Sequence, residues 1–108
     1  MDDDVLRRLA ATISARRSAP ADASYTRRLL DAGPEQCARK FGEEAIEVVI
    51  AGVGPDAEAL TEEAGDVIYH LLVLMEARGV SLHSVLATLE ARTKMSGLQE
   101  KAQRNRPD

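Results

Sequence analysis

The stretch that decides the fold is Lys40-Phe41-Gly42-Glu43-Glu44-Ala45-Ile46-Glu47-Val48-Val49-Ile50, followed after a break by Leu60-Thr61-Glu62-Glu63-Ala64-Gly65-Asp66-Val67-Ile68-Tyr69. In each segment two acids, Glu44 with Glu47 and Glu63 with Asp66, stand i,i+3 in an otherwise apolar helical pattern, so each pair occupies one helix face. Gly52-Val53-Gly54-Pro55-Asp56 lies between them and is rich in helix-stopping and turn-forming residues. The second helix is therefore expected to run back antiparallel along the first, bringing four carboxylates together. Two unit charges ~4 Å apart repel by about 4 kcal/mol at an effective dielectric of ~20. Several such pairs stay ionised together only beside cations. A lone pair of this spacing is ordinarily a solvated helix face; the second pair, the apolar setting and the intervening turn favour a metal site. Oxygen ligands, with no Cys or His at ligand spacing, select Mg²⁺ or Mn²⁺ over zinc.

Outward from this centre the chain reads as helices throughout. Leu6, Leu9, Ala10 and Ile13 recur at helical spacing and predict a first amphipathic helix over about 3 to 17. A short helix or turn carries Ser24 to Leu30 and stops at Gly33, with Pro34 suited to the first turn of the next helix. That helix is expected over about 34 to 52 and its partner over about 56 to 78, ending at Gly79. Ser81 reads as the N-cap of a last helix to about Lys94, with Leu82, Val85, Leu86 and Leu89 inward. Residues 96 to 108 are polar and basic, with the composition of a mobile tail. The 108 residues form one domain. The expected class is all-α, a bundle of four to five helices. After Asp66 the second acidic helix is apolar on nearly every side, through Val67, Ile68, Leu71, Leu72, Val73, Leu74 and Met75. Such a helix needs neighbours all round. A homodimer that completes the bundle follows.

Composition narrows the partners. A net charge of −4 and only 3% aromatic residues argue against a nucleic-acid partner. No apolar run is long enough to span a bilayer, and the N-terminus lacks the apolar core of a secretory leader. Cys37 is the single cysteine, expected as a small buried residue in a reducing compartment, so the protein is read as cytoplasmic.

Around the acids, Lys40, Glu44 and Glu47 share one helical stripe, and Glu63, Asp66 and His70 share another. Lys40 is open to two roles, an i,i+4 ion pair with Glu44 or a phosphate contact. His70 is expected as a hydrogen-bonded core histidine that orients a carboxylate rather than as a ligand. Glu43 lies off the stripe, where it is either a base toward water or a solvated charge. Gly65 within a helix costs about 1 kcal/mol relative to Ala, which suggests close approach of a backbone or ligand. The basic residues Arg92, Lys94, Lys101, Arg104 and Arg106 are either a solvated tail or phosphate contacts. Such carboxylate sites perform in-line displacement at phosphorus. A di-iron centre would require Glu-x-x-His twice, and the chain has none.

Glu43-Glu44-Ala45-Ile46-Glu47 with Glu63-Ala64-Gly65-Asp66 resembles the E-E-x-x-E and E-x-x-D motif pair of the all-α nucleoside triphosphate pyrophosphatases of the MazG-like superfamily. Ser24-Tyr25-Thr26, Gly33-Pro34-Glu35, Lys40 to Glu44, Asp66-Val67-Ile68-Tyr69-His70, Arg78-Gly79-Val80 and Ser96 to Lys101 are similar, more closely, to the phosphoribosyl-ATP pyrophosphohydrolase family of histidine biosynthesis. The resemblance runs from about Tyr25 to Arg104. It implies a small nucleotide as substrate, hydrolysis of phosphoribosyl-ATP to phosphoribosyl-AMP and pyrophosphate, and Mg²⁺. It further implies Glu44, Glu47, Glu63 and Asp66 as metal ligands, with Lys40, Lys101 and Arg104 holding phosphates. Residues 1 to 20 precede most of that resemblance and are expected as a peripheral first helix. A housekeeping nucleoside triphosphate pyrophosphatase and a non-catalytic helical dimerisation module remain as other readings.

Overall fold

A computed structural model describes residues 3–20, 22, 24–94, 101 and 104. Among them the chain is helical, with no strand. Helix α1 (Asp3–Ala15) runs into a short 3₁₀ turn, Arg16–Ser18, and is followed by α2 (Tyr25–Ala32), α3 (Pro34–Val53), α4 (Ala57–Ala77) and α5 (Leu82–Thr93). Most of the basic tail read from 96 to 108 lies outside the described residues.

The boundaries follow from local chemistry. Ser24 caps α2 by accepting from the Arg27 amide at 3.1 Å. Gly33, at φ 96°, ends α2, and Pro34 opens α3, where its missing N–H has no partner to lose. Asp56 caps α4 through the Glu58 amide at 3.0 Å, so the turn between α3 and α4 is only Gly54-Pro55-Asp56. A turn this short folds α3 and α4 into an antiparallel hairpin, which is the largest helix contact among the described residues. The end of α4 is closed by Gly79 at φ 70°, the Gly79 amide donating to the Glu76 carbonyl and the Val80 amide to the Met75 carbonyl at 2.8 Å. This pair of bonds satisfies the last carbonyls of α4. Ser81 then caps α5 through the Ser84 amide at 3.0 Å.

The core gathers Ile13 from α1, Leu29 and Leu30 from α2, Cys37 from α3, and Leu72, Val73 and Met75 from α4. It lies toward the end of the hairpin remote from its turn, between α4 and the N-terminal helices. The Cys37 thiol is buried and donates to the Leu29 carbonyl at 3.2 Å, and burial pushes its pKa up, so it behaves as a packed apolar group.

Two expectations about packing change. The first helix is not peripheral: Ile13 is 2% exposed and lies in the core, with Leu6 and Leu9 packed against it. One buried face of α4 needs a cover that α2 and α3 alone do not supply, and α1 provides it. Leu89, expected inward on α5, is 49% exposed. Only Leu82 and Val85, in the first turns of α5, reach the core.

Because Ile13 sits in the core, Ile13→Ala is expected to cost about 2 to 5 kcal/mol, as for other large-to-small core changes. Urea unfolding of the two proteins measures it. A cost under about 1 kcal/mol, typical of a surface site, would return α1 to the periphery.

Candidate active site

The short turn sets the register of α3 against α4 so that their acidic stripes meet. Carboxylate oxygens of Glu44, Glu63 and Asp66 lie within 4.8 Å of one another. Glu44 and Glu63 are half-buried and Asp66 is exposed, so the cluster opens to solvent on one side. Glu47 stands outside this trio but acts on Glu63 as a neighbouring charge. Glu43 is exposed and forms an ion pair with Lys40 at 3.3 Å. Lys40 thus pairs i,i+3 with Glu43 rather than i,i+4 with Glu44, and that bond, with the charges of Tyr25 and the nearby acids, raises its pKa. Lys101 and Arg104 are exposed helical positions beyond α5. Lys101 forms no ion pair with the described residues.

His70, one turn along α4 from Asp66, is buried. Tyr25 and Tyr69 both meet its ring edge-on, with centroids 6.3 Å and 4.9 Å away. Tyr69 is fixed in turn by a short hydrogen bond between its hydroxyl and that of Thr26, which ties α2 to α4. Desolvation lowers the His70 pKa, the Glu44 and Asp66 charges oppose that shift, and Lys40 adds to it. The link from His70 to the acids is electrostatic; the expected hydrogen bond to a carboxylate is not formed among the described residues. Tyr25 and Thr26 are 37 to 41 positions from Glu63 and Asp66, so no helical spacing could have drawn them into the site. Tyr69 had a local signal, its place beside His70.

Gly65 lies between Glu63 and Asp66. A side chain added there would meet nothing within 4 Å. The close approach expected at this glycine is therefore not made by the described residues, and among them the flank of the acid trio is open.

Glu63 carries the electrostatic signature of the cluster. Partial burial, then the charges of Asp66, Glu47, Glu44 and Glu62, raise its pKa above the ordinary 4.5. A carboxyl whose pKa is raised by folding favours the folded state when protonated, and that advantage is lost as pH climbs from the unfolded value through the folded one. Glu63→Gln removes the charge and keeps the shape. Without metal, its melting temperature is expected to match that of the unmodified protein at pH 4 and to exceed it increasingly toward pH 7. A difference of zero at all pH values, or of opposite sign, would show that these acids do not repel.

A donor set of carboxylates alone, partly exposed so that water can complete the shell, fits a hard divalent cation such as Mg²⁺ or Mn²⁺. It does not suit zinc or copper, which favour nitrogen and sulfur ligands. Comparison with known proteins agrees with the chemistry. The model of the phosphoribosyl-ATP pyrophosphohydrolase family matches residues 6–93. The phosphoribosyl-ATP pyrophosphatase 1 of Rhodopseudomonas palustris is 56% identical over 98 residues, covering 91% of this chain and 92% of that protein. The phosphoribosyl-ATP pyrophosphatase of Dinoroseobacter shibae is 57% identical over 100 residues, covering 93% of this chain and 98% of its relative. That of Cereibacter sphaeroides is 56% identical, with 93% and 97% covered. A match over both acidic helices, the core and α1 leaves no large part of the described fold outside it, and the chain belongs to the phosphoribosyl-ATP pyrophosphohydrolase family.

Proposed function

We propose that this chain hydrolyses phosphoribosyl-ATP between its α- and β-phosphates, giving phosphoribosyl-AMP and pyrophosphate in the second step of histidine biosynthesis. The observation that carries the reading is the meeting of Glu44, Glu63 and Asp66 on the α3–α4 hairpin of a chain in this family. Glu44, Glu47, Glu63 and Asp66 would hold Mg²⁺, with Mn²⁺ as a substitute. The metal supplies charge neutralisation on the phosphate oxygens.

The protein's own groups do the rest. The half-buried walls of the cluster place Glu44 and Glu63 against the polyphosphate and limit its exposure to water. Lys40, at the edge of the trio, leaves Glu43 to meet a phosphate oxygen. Glu43 is then free to take a proton from the attacking water as the bridging P–O bond breaks and pyrophosphate departs. Buried between two tyrosines, His70 fixes that part of α4 and holds Asp66 one turn away at its place in the cluster. Lys101 and Arg104 are assigned to substrate phosphates.

A homodimer belongs to this reading. Ile46, Val49, Ile50 and Val53 form an i, i+3, i+4, i+7 stripe on α3 that is 59 to 86% exposed, and Leu60, Ile68 and Leu71 of α4 are 37 to 40% exposed. Exposed apolar residues on both helices of one hairpin are suited to a second copy. Within the cell the cytoplasm fits, since Cys37 is free and buried. Among the described residues no single helix is long and apolar enough to cross a membrane.

Pyrophosphate release is expected from phosphoribosyl-ATP with Mg²⁺, and much more slowly from dUTP, dCTP or ATP. Asp66→Asn should lower the rate by at least about a hundredfold, the scale at which losing a metal ligand or its support is felt, and should abolish most of the Mg²⁺-induced rise in melting temperature. A free nucleotide as the better substrate would redirect the assignment to a housekeeping pyrophosphatase. Equal Mg²⁺ shifts in both proteins would remove the metal site.

Light scattering should give about twice the 11.7 kDa chain mass. Val49→Asp, placing a charge in the exposed stripe, should shift the protein toward monomer. A monomeric, fully helical native protein would dismiss the dimer.

A further inference from the structure

Beside the acid site lies a second opening. Thr12, Arg16, Tyr25, Thr26 and Tyr69 line a cleft of about 350 Å³ floored by Ile13, between the end of α1, the start of α2 and α4. Its walls are shared with the site, because Tyr25 and Tyr69 are the two rings that enclose His70. Its cation is uncommitted. Arg17 is bound to Glu76, and Arg27 to Asp31 and the Ala19 carbonyl, whereas the Arg16 side chain has no hydrogen-bond or ion-pair partner among the described residues. Hydroxyls surround it. Thr26 and Tyr69 bond to each other, which uses one of their two O–H protons and leaves the other as a donor, and Thr12 adds a third hydroxyl.

A guanidinium fork with hydroxyl groups around it, over an apolar floor, is chemistry for a sugar phosphate. The volume is at the small end of ligand pockets, about 300 to 1,000 Å³, and accommodates a sugar phosphate rather than a whole nucleotide. The proposed substrate needs such a place. Phosphoribosyl-ATP has phosphate at both ends: a triphosphate, and a monoester on the ribose joined to the adenine. The monoester cannot share the acid trio, where carboxylates would repel it. It requires a cation elsewhere, within reach of the same site. Arg16 is the cation that lines a cleft with two walls in common with that site.

We infer that this cleft binds the ribose 5-phosphate end of phosphoribosyl-ATP, with Arg16 on the phosphate and the hydroxyls of Thr12, Thr26 and Tyr69 toward the sugar. The cleft is thus what distinguishes phosphoribosyl-ATP from ATP. This inference rests on phosphoribosyl-ATP being the substrate.

The test measures kcat and KM for pyrophosphate release from phosphoribosyl-ATP and from ATP by the full-length protein, its Arg16→Gln and Thr12→Val variants, and Arg8→Gln as a charge control on the exposed side of α1. Arg16→Gln should raise KM for phosphoribosyl-ATP about tenfold or more, the scale of a lost charged hydrogen bond. Its kcat should change little, so the preference for phosphoribosyl-ATP over ATP falls by the same factor. Ribose 5-phosphate should compete with substrate in the unmodified protein and do so about tenfold more weakly in Arg16→Gln. Arg8→Gln should leave the preference unchanged. Should Arg16→Gln not fold, Thr12→Val decides, with a loss of preference of about threefold or more expected from one hydroxyl bond. An unchanged preference in the folded Arg16→Gln protein, or an equal fall in Arg8→Gln, overturns the cleft while the phosphoribosyl-ATP reading stands. An unmodified protein that does not prefer phosphoribosyl-ATP overturns both.

Discussion

Like charges held together by an apolar hairpin are the constraint on which the rest of this structure turns. Glu44, Glu63 and Asp66 meet because the three-residue turn Gly54-Pro55-Asp56 gives α3 and α4 one register. Lys40, one turn before Glu44 on α3, is paired with Glu43. The pKa of Glu63 is raised first by partial burial and then by the charges of Asp66, Glu47 and Glu44. Repulsion at this level would splay two isolated helices. It is offset at the other end of the hairpin, where Leu72, Val73 and Met75 of α4 are buried against Ile13, Leu29 and Leu30. Burying a large aliphatic side chain contributes about 1.5 to 3 kcal/mol, so a few such residues outweigh a screened repulsion of similar size per pair.

This division of labour explains why α1 and α2 matter to a site to which they contribute no carboxylate. Cys37 fixes the start of α3 against α2, with its thiol bonded to the Leu29 carbonyl. Tyr69 fixes α4 against α2 through Thr26. His70 lies between the acids and that contact, shielded by two aromatic edges and aware of Glu44, Asp66 and Lys40 only through their charges. Packing and electrostatics therefore meet at one residue of α4, a turn away from Asp66. A change at Tyr69 or Thr26 acts on the carboxylates through the position of the helix, with no contact needed.

Much of this was legible in the sequence because it depends on local chemistry. Gly33-Pro34, Asp56, Gly79 and Ser81 mark helix ends by conformational and capping rules that operate within a few residues, and the observed boundaries fall within one or two positions of those expected. The meeting of Glu44 with Glu63 and Asp66 was legible for the same reason, since i,i+3 spacing and a short turn leave little choice of which faces meet, whereas Glu47, expected with them, stands outside the trio. What could not be read depends on contacts distant in sequence. The burial of Ile13 requires knowing that α1 crosses α4. The partner of Lys40 depends on a choice between two acids one position apart, and rotamers decided for Glu43. Leu89 had the helical period of a core residue, but α5 diverges from the bundle after its first turns and leaves it exposed.

The apolar stripes on the outer side of the hairpin bear on the same balance. Val53 is 86% exposed and Val49 64%, in the half of α3 that runs toward the turn, while the buried core lies at the opposite end. The acid trio thus stands between a well-packed end and an end whose apolar residues are left exposed among the described residues. A helix pair that must hold repelling charges gains least from the packing it lacks near them. In the proposed dimer the second copy would supply that packing, adding apolar burial on the turn side of the carboxylates and clamping them from both directions. In that dimer, assembly and the geometry of the site would be one physical problem: the surface joining two copies would add to the packing that already brings Glu44 and Glu63 together in the single chain.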